Sequence, residues 1–223
     1  MSQSRISPSI SVPVWAAFRR HCHKLLAIGY EQAISRIKNG PDEETDITGY
    51  LCEAIEEWFR THSQDSFCFF IREDPPIGGT ERTGKRRLRT DLIIGYAAGD
   101  RPEFYFEAKR LHRTKAGAAR YSGLEGMGCF ISGRYANRYR EVAMIGYVQS
   151  DTLDHWHGTL QSKIETDQRQ LKVESIEKRV FFSDSFPLEW ASVHRRKGSM
   201  SVRVFHILLD CRKIESRQVE KNI

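Results

Sequence analysis

The sequence predicts an α/β fold in a single domain, with helices and strands interleaved along the chain. Three observations carry this. Apolar residues recur at helical spacing before residue 60 and after residue 150, with short aromatic and β-branched runs between and after them. Two of those runs flank Ala98, Gly99, Asp100, Arg101 and Pro102, a turn composition that makes them a hairpin. With 223 residues, 39% hydrophobic and 29% charged, the chain is long and apolar enough to bury one substantial core.

The elements follow in order. The first ten residues are expected to be loose. From about 13 to 38, Trp15, Phe18, Cys22, Leu25 and Leu26 mark one or two helices, with Gly29 or the Asn39, Gly40, Pro41 run as stops. Asp46 is the expected N-cap of the next helix, whose stripe is Ile47, Leu51, Ala54, Ile55, Trp58 and Phe59. Glu43 and Glu44 precede it, where a helix dipole favours negative charge. Residues 1–42 are thus read as an N-terminal helical extension packed on the core, and 43–223 as the main domain.

Residues 66–74 predict a strand ended by Pro75 and Pro76. The hairpin runs from Asp91 to Ala97 and from Glu103 to Lys109. Gly123, Gly126, Gly128 and Gly133 break any single helix over 113–140. Glu141 to Val148 is a buried-strand pattern. A helix beginning at Asp151 or Asp154 extends to about residue 172 through Leu153, Trp156, Leu160 and Ile164. Late strands are expected at Arg179 to Phe182 and Val202 to Leu209.

Composition narrows the function. No apolar run approaches the roughly 20 residues that cross a bilayer, and the first residues lack a secretory pattern, so a soluble cytoplasmic protein without a membrane partner is expected. Five widely spaced cysteines suggest reduced thiols. The net charge is +6, and the basic residues cluster at Arg82 to Arg89, Lys109 to Arg120, Arg134 to Arg140 and Arg195 to Lys197. Such a surface attracts a polyanion, nucleic acid above all. A solvated basic face is the plain alternative.

A hairpin turn centred between Gly99 and Asp100 pairs positions summing to about 199. Asp91 then falls opposite residue 108 within one place, beside Glu107 and Lys109. Side chains alternate along a strand, so Glu107 and Lys109 share a face and Ala108 points away. Two carboxylates and an ammonium meet at one end of a sheet. Asp91 and Glu107 suit a hard divalent ion, Mg²⁺ or Mn²⁺, with water and phosphate oxygens completing its shell. Lys109 is placed to orient or deprotonate an attacking water, or to neutralise charge on a phosphate. The flanking residues, Leu92, Ile93, Ile94, Phe104, Tyr105 and Phe106, are apolar, and charge in an apolar sheet is costly unless paired or metal-bound.

Thr90-Asp91-Leu92-Ile93-Ile94, a hairpin, and then Phe106-Glu107-Ala108-Lys109-Arg110-Leu111 resemble the PD-(D/E)XK nuclease superfamily, whose fold is restriction-endonuclease-like. The resemblance spans about residues 43 to 150. It implies a central mixed sheet of four or more strands flanked by helices, and metal-dependent hydrolysis of phosphodiester bonds, DNA in the first place. Asp91, Glu107 and Lys109 are then catalytic, with Asp91 and Glu107 as metal ligands. Glu44 matches an acidic residue that many members carry on the preceding helix. Thr90 stands where the motif commonly has proline. The resemblance extends to anti-phage defence or restriction proteins, and so to a homodimer or a subunit of a multi-protein defence complex.

Lys85, Arg86, Arg87, Arg110, Arg134 and Arg138 are the candidate nucleic-acid contacts, since guanidinium and ammonium groups hold phosphates. A non-catalytic nucleic-acid-binding or partner-docking subunit with the same fold is the alternative. Gly79 to Lys85 matches the start of a phosphate-binding loop, but Arg86 replaces the required Ser or Thr and a strand follows, so it is a flexible basic loop. The His21/His23 and His155/His157 pairs lie two apart in helical patterns and diverge, which makes them surface histidines.

Overall fold

Two helices open the chain in the computed structural model, which describes residues 11–38, 42–62, 68–75, 89–97, 101–113, 116–196 and 200–212. Helix α1, Val12–Ala33, has proline in its first turn, where a missing N–H costs nothing. It is one helix and passes through Gly29 without stopping. A Cβ at Gly29 would lie 2.6 Å from Ile55 Cγ1, so this glycine lets α1 approach the next helix closely. That helix, α2, is Glu44–Thr61. Its N-cap is Glu43 rather than Asp46, because the Asp46 carboxylate reaches back to accept from the Glu43 backbone N–H at 2.7 Å in a capping box.

Seven strands form one mixed sheet: β1 Phe69–Glu73, β2 Leu92–Tyr96, β3 Glu103–Leu111, β4 Glu141–Val148, β5 Val173–Glu177, β6 Trp190–Arg195 and β7 Ser201–Asp210. Their order is β1-β2-β3-β4-β7-β6-β5. The centre, β3-β4-β7, is parallel, and each flank is antiparallel. Leu92 pairs with Phe106, so the hairpin positions sum to 198, one less than its turn composition predicts. The chain is thus an α/β protein, and no helix among the described residues is long and apolar enough to cross a membrane.

Alternation divides the sheet between two cores. Phe104, Phe106, Phe205 and Ile207 pack with Leu25, Leu26, Leu51 and Ile55 of the two opening helices. Ile93, Tyr105, Met144 and Val204 pack with Tyr121, Phe130, Trp156 and Leu160 on the other side. That second layer consists of α3 Ala116–Ser122, α4 Met127–Ile131, α5 Leu153–Thr166 and α6 Gln168–Leu171. The first two are the broken helix expected from the glycines. The N-cap of α5 is Thr152, neither Asp151 nor Asp154, because its side chain accepts from the His155 N–H at 2.9 Å.

Residues 179–182, an expected strand, are irregular; Val180 and Phe182 instead pack against the first core. The strands β5 and β6 lie on either side of that segment. His23 is not a surface histidine: it is buried, with Nδ1 2.9 Å from Glu189 Oε1. His155 is exposed and His157 half-buried.

Strand β6 puts Ser192 and His194 inside the second core, where polar groups need partners. Ser192 Oγ lies 2.6 Å from His194 Nε2 and 2.7 Å from His206 Nε2. Tyr121 Oη meets His206 Nδ1 at 3.0 Å, and His194 Nδ1 meets the Leu171 carbonyl at 2.8 Å. One direction of donation satisfies the whole chain with both rings neutral, from Tyr121 through His206, Ser192 and His194 to Leu171. Burial pushes both imidazoles below their ordinary range, and the neighbouring His157 adds to the effect at His206.

Two predictions follow from this packing. Gly29→Val forces α1 off α2 and should lower stability by about 1–3 kcal/mol in urea unfolding; an unchanged midpoint and slope would remove the close-approach account. The depressed folded pKa of His206 and His194 means the unfolded chain binds protons first as pH falls. Stability should therefore be full above pH ~6.5 and decline below it, by up to about 1.4 kcal/mol per pH unit for each histidine. Urea titrations at several pH values should show a shallower decline in His206→Gln, and an identical decline would contradict the buried-neutral assignment.

Candidate active site

At the C-terminal end of β3, Glu107 and Lys109 emerge on the same face, while Ala108 is buried in the first core. The Lys109 ammonium lies 3.0 Å from Glu107 Oε1, 3.0 Å from Glu44 Oε1 and 3.8 Å from Asp91 Oδ2. It also donates to the Ala108 carbonyl at 2.5 Å. Asp91, Glu107, Lys109 and Glu44, separated by up to 65 positions, are therefore one cluster. Glu107 and Lys109 are almost wholly buried.

Asp91 and Glu44 are held by the backbone around them. Thr90 is buried and donates its hydroxyl to the Phe106 carbonyl at 2.8 Å, tying the entry of β2 to β3. The following Asp91 accepts from the Ala108 N–H at 2.6 Å, and its carbonyl accepts from Asp74 at 3.0 Å. Glu44 is the first residue of α2, and its second oxygen accepts from the Arg110 N–H at 3.1 Å. A helix N-terminus favours that negative charge.

Burial is the largest influence on Asp91 and Glu107. It raises the Asp91 pKa, against the opposing effects of Lys109 and the Ala108 N–H. Glu107 is pushed up to about 8, first by burial and then by the charge of Asp91. Burial alone would lower Lys109, but Glu107, Asp91 and Glu44 outweigh it and hold the ammonium above its ordinary range. Lys109 is accordingly a cation at neutral pH, not a free base.

The candidate nucleic-acid contacts are distributed differently. Arg110 pairs with Glu43 at 2.7 Å and donates to the Asp42 carbonyl at 3.3 Å. Gln149, at the end of β4, donates to that same carbonyl at 2.9 Å. The Arg134 guanidinium turns inward, to the Leu124 carbonyl at 2.7 Å and Glu125 at 3.2 Å. Arg138 is exposed. Lys85, Arg86 and Arg87 lie outside the described residues, as does the Gly79 to Lys85 loop.

The sequence reading missed Gln149, Asp42 and the buried pair Cys129 and Tyr135. Cys129 and Tyr135 both feel the Glu107 charge, which raises each beyond the effect of burial. A polar residue directly after the apolar run 141–148 was the available signal for Gln149. Nothing local marks the others, because their neighbours come from distant elements.

Among the described residues, no three His, Cys, Asp or Glu side chains stand together as a ready-made metal site. A hard cation that keeps water and phosphate ligands needs only one or two carboxylates, however. Glu107 Oε2 is buried and accepts no hydrogen bond, and it sits in a cluster with more acids than bases. That orphaned acceptor and the oxygen chemistry of the donors fit Mg²⁺ or Mn²⁺ held by Asp91 and Glu107.

Comparison with known proteins supplies no relative: no family model matches the chain, and neither does any curated protein or solved structure.

Binding of a divalent ion should raise Tm by a few degrees at concentrations well above Kd, since a ligand of the folded state stabilises it by mass action. Calorimetry with Mg²⁺, Mn²⁺ and chelator should show the rise in the wild type and not in Asp91→Asn or Glu107→Gln. The same rise in all three proteins would place the ion elsewhere.

Proposed function

We propose that this chain is a metal-dependent phosphodiesterase with a restriction-endonuclease-like core, acting on nucleic acid and in the first place on DNA. The observation that carries the reading is the Lys109 ammonium standing 3.0 Å from both Glu107 and Glu44 and 3.8 Å from Asp91. Helix, strand, Asp-bearing strand, Glu-x-Lys strand, helix and parallel strand in that order support it. The net charge of +6 suits a polyanionic substrate.

Asp91 and Glu107 would hold the ion. The chemistry such an ion would supply is Lewis-acid polarisation of a phosphoryl group and activation of a water. The chain's own residues do the rest. Lys109, kept protonated by its carboxylates, offers N–H donors and positive charge to the phosphate as negative charge builds on it. Glu44 fixes the direction of that ammonium, and its hold on the Arg110 N–H locks α2 to β3. The Thr90 and Ala108 bonds hold Asp91 in place.

The second reading is a non-catalytic nucleic-acid-binding or partner-docking subunit. Lys109 itself favours it, because an ammonium already neutralises part of the acidic cluster. A role in restriction or anti-phage defence, alone or within a complex, belongs to the family resemblance.

Purified protein should nick plasmid DNA in Mg²⁺ or Mn²⁺ and not in chelator. Asp91→Ala and Lys109→Ala should reduce the rate at least about 10²-fold while retaining the fold by circular dichroism. Equal rates in all three proteins would dismiss the assignment. Salt-sensitive DNA binding without nicking under any metal condition would favour the second reading.

A further inference from the structure

The turn between α3 and α4 is built with unusual stringency. A Cβ at Gly123 would lie 2.5 Å from the Ala119 carbonyl oxygen, and one at Gly126 would lie 2.2 Å from that of Tyr121. Both obstacles are backbone, so only glycine fits. The Gly123 carbonyl accepts from the Gly126 and Gly128 N–H groups at 3.1 and 2.9 Å. The next carbonyl, that of Leu124, accepts from Arg134 at 2.7 Å and from the Cys129 thiol at 3.2 Å. A backbone tied at this many points nevertheless turns the Leu124 side chain outward, 75% exposed.

Beside Leu124 lies a cavity of about 240 Å³. This is below the roughly 300 Å³ at which sites for drug-sized molecules begin, and it suits one planar ring system. Buried Ile131 and Leu171 make the wall apolar, and Gly123 and Gly128 expose peptide backbone. Ser132 and Gln170 supply hydrogen-bonding groups, and Lys172 supplies a cation at the rim. Apolar faces with polar edges and a cation are the recognition chemistry of a base with its phosphate. On its inner side the turn accepts from the Cys129 thiol, which fixes the backbone that carries Leu124.

We propose that this cavity receives one nucleobase turned out of a nucleic-acid strand, and that Leu124 takes its place in the stack. The inference rests on the phosphodiesterase reading of the acidic centre and refines its substrate to strands with an unpaired or easily extruded base. Leucine wedges between bases and pockets for extruded bases are established means of opening a stack. The cost of unstacking is least where pairing is already lost, which gives the preference its direction.

The test uses the full chain and a DNA hairpin carrying one unpaired 2-aminopurine, in chelator so that cutting cannot contribute. Anisotropy reports binding, and 2-aminopurine emission reports unstacking. Wild type should raise the emission at least about twofold on binding. Leu124→Ala and Gln170→Ala change exposed side chains. They should retain the wild-type Tm and, with the hairpin saturated by protein, lose at least half of the rise. An undiminished rise in both variants, or a flat signal from bound wild type, overturns the inference. If that wild type still nicks DNA in Mg²⁺, the phosphodiesterase reading survives alone. A Leu124-dependent rise without nicking in any metal upholds the cavity and rejects the hydrolytic reading. Absence of binding overturns the inference, and nicking in Mg²⁺ decides the phosphodiesterase reading separately.

Discussion

The contact among Lys109, Glu44, Glu107 and Asp91 sets the terms for the rest of the molecule. Asp91, Glu107 and Glu44 gather at one partly buried end of a sheet, where burial raises Asp91 and Glu107 and the charge of Asp91 raises Glu107 further. The ammonium at 3.0 Å from two of them is the nearest compensating charge. Removing one partner from such a buried set typically costs about 3–5 kcal/mol, because the others are left uncompensated. The contact also joins elements. It fastens the first turn of α2 to the end of β3, and the helix dipole at that turn favours the Glu44 carboxylate.

The mixed sheet makes this possible. Antiparallel pairing of β2 with β3 brings Asp91 across from the Glu107 end of β3, and parallel pairing of β3 with β4 carries both strands to the same edge. There the Asp42 carbonyl, just before α2, receives bonds from Arg110 and Gln149. The entry to α2 is therefore held from β3 and β4 together, and Glu44 inherits its position from that hold. The placement of the site and the packing of the first helical layer are one problem with one solution.

The hairpin and the faces of Glu107 and Lys109 were legible because both rest on period-two alternation and a recognisable turn. The pairing sum missed by one, which composition around Gly99 and Asp100 has no power to resolve. Caps were less legible. Asp46 and Asp154 are good caps by type, but Glu43 and Thr152 prevailed through specific side-chain bonds. Strand β6 was hidden for a different reason. Ser192 and His194 occupy its inward positions, so its pattern lacks the expected apolar alternation, while their buried hydrogen-bond chain supplies the missing compatibility. Val180 and Phe182 produced the opposite error, since apolar residues that plug a core from an irregular segment resemble a strand. His23 looked like a surface residue only because Glu189, its partner, is remote in sequence.

Among the described residues, three of the buried polar assemblies differ in a way that bears on function. In the Tyr121, His206, Ser192 and His194 chain every link has a donor and an acceptor, and neutral rings suffice. His23 and Glu189 set one acid against one base, and both Glu189 oxygens, like Glu107 Oε2, lack a hydrogen bond. The acidic centre has three carboxylates around one ammonium, and Glu107 Oε2 is left without a hydrogen bond. Polar groups selected for stability alone tend toward the first arrangement, since an unpaired buried acceptor costs about 1–3 kcal/mol. The excess of acids over bases sets the acidic centre apart, and such a local conflict is of the kind that concentrates at functional sites. Under the phosphodiesterase reading, a hard cation held by Asp91 and Glu107 would supply the missing positive charge.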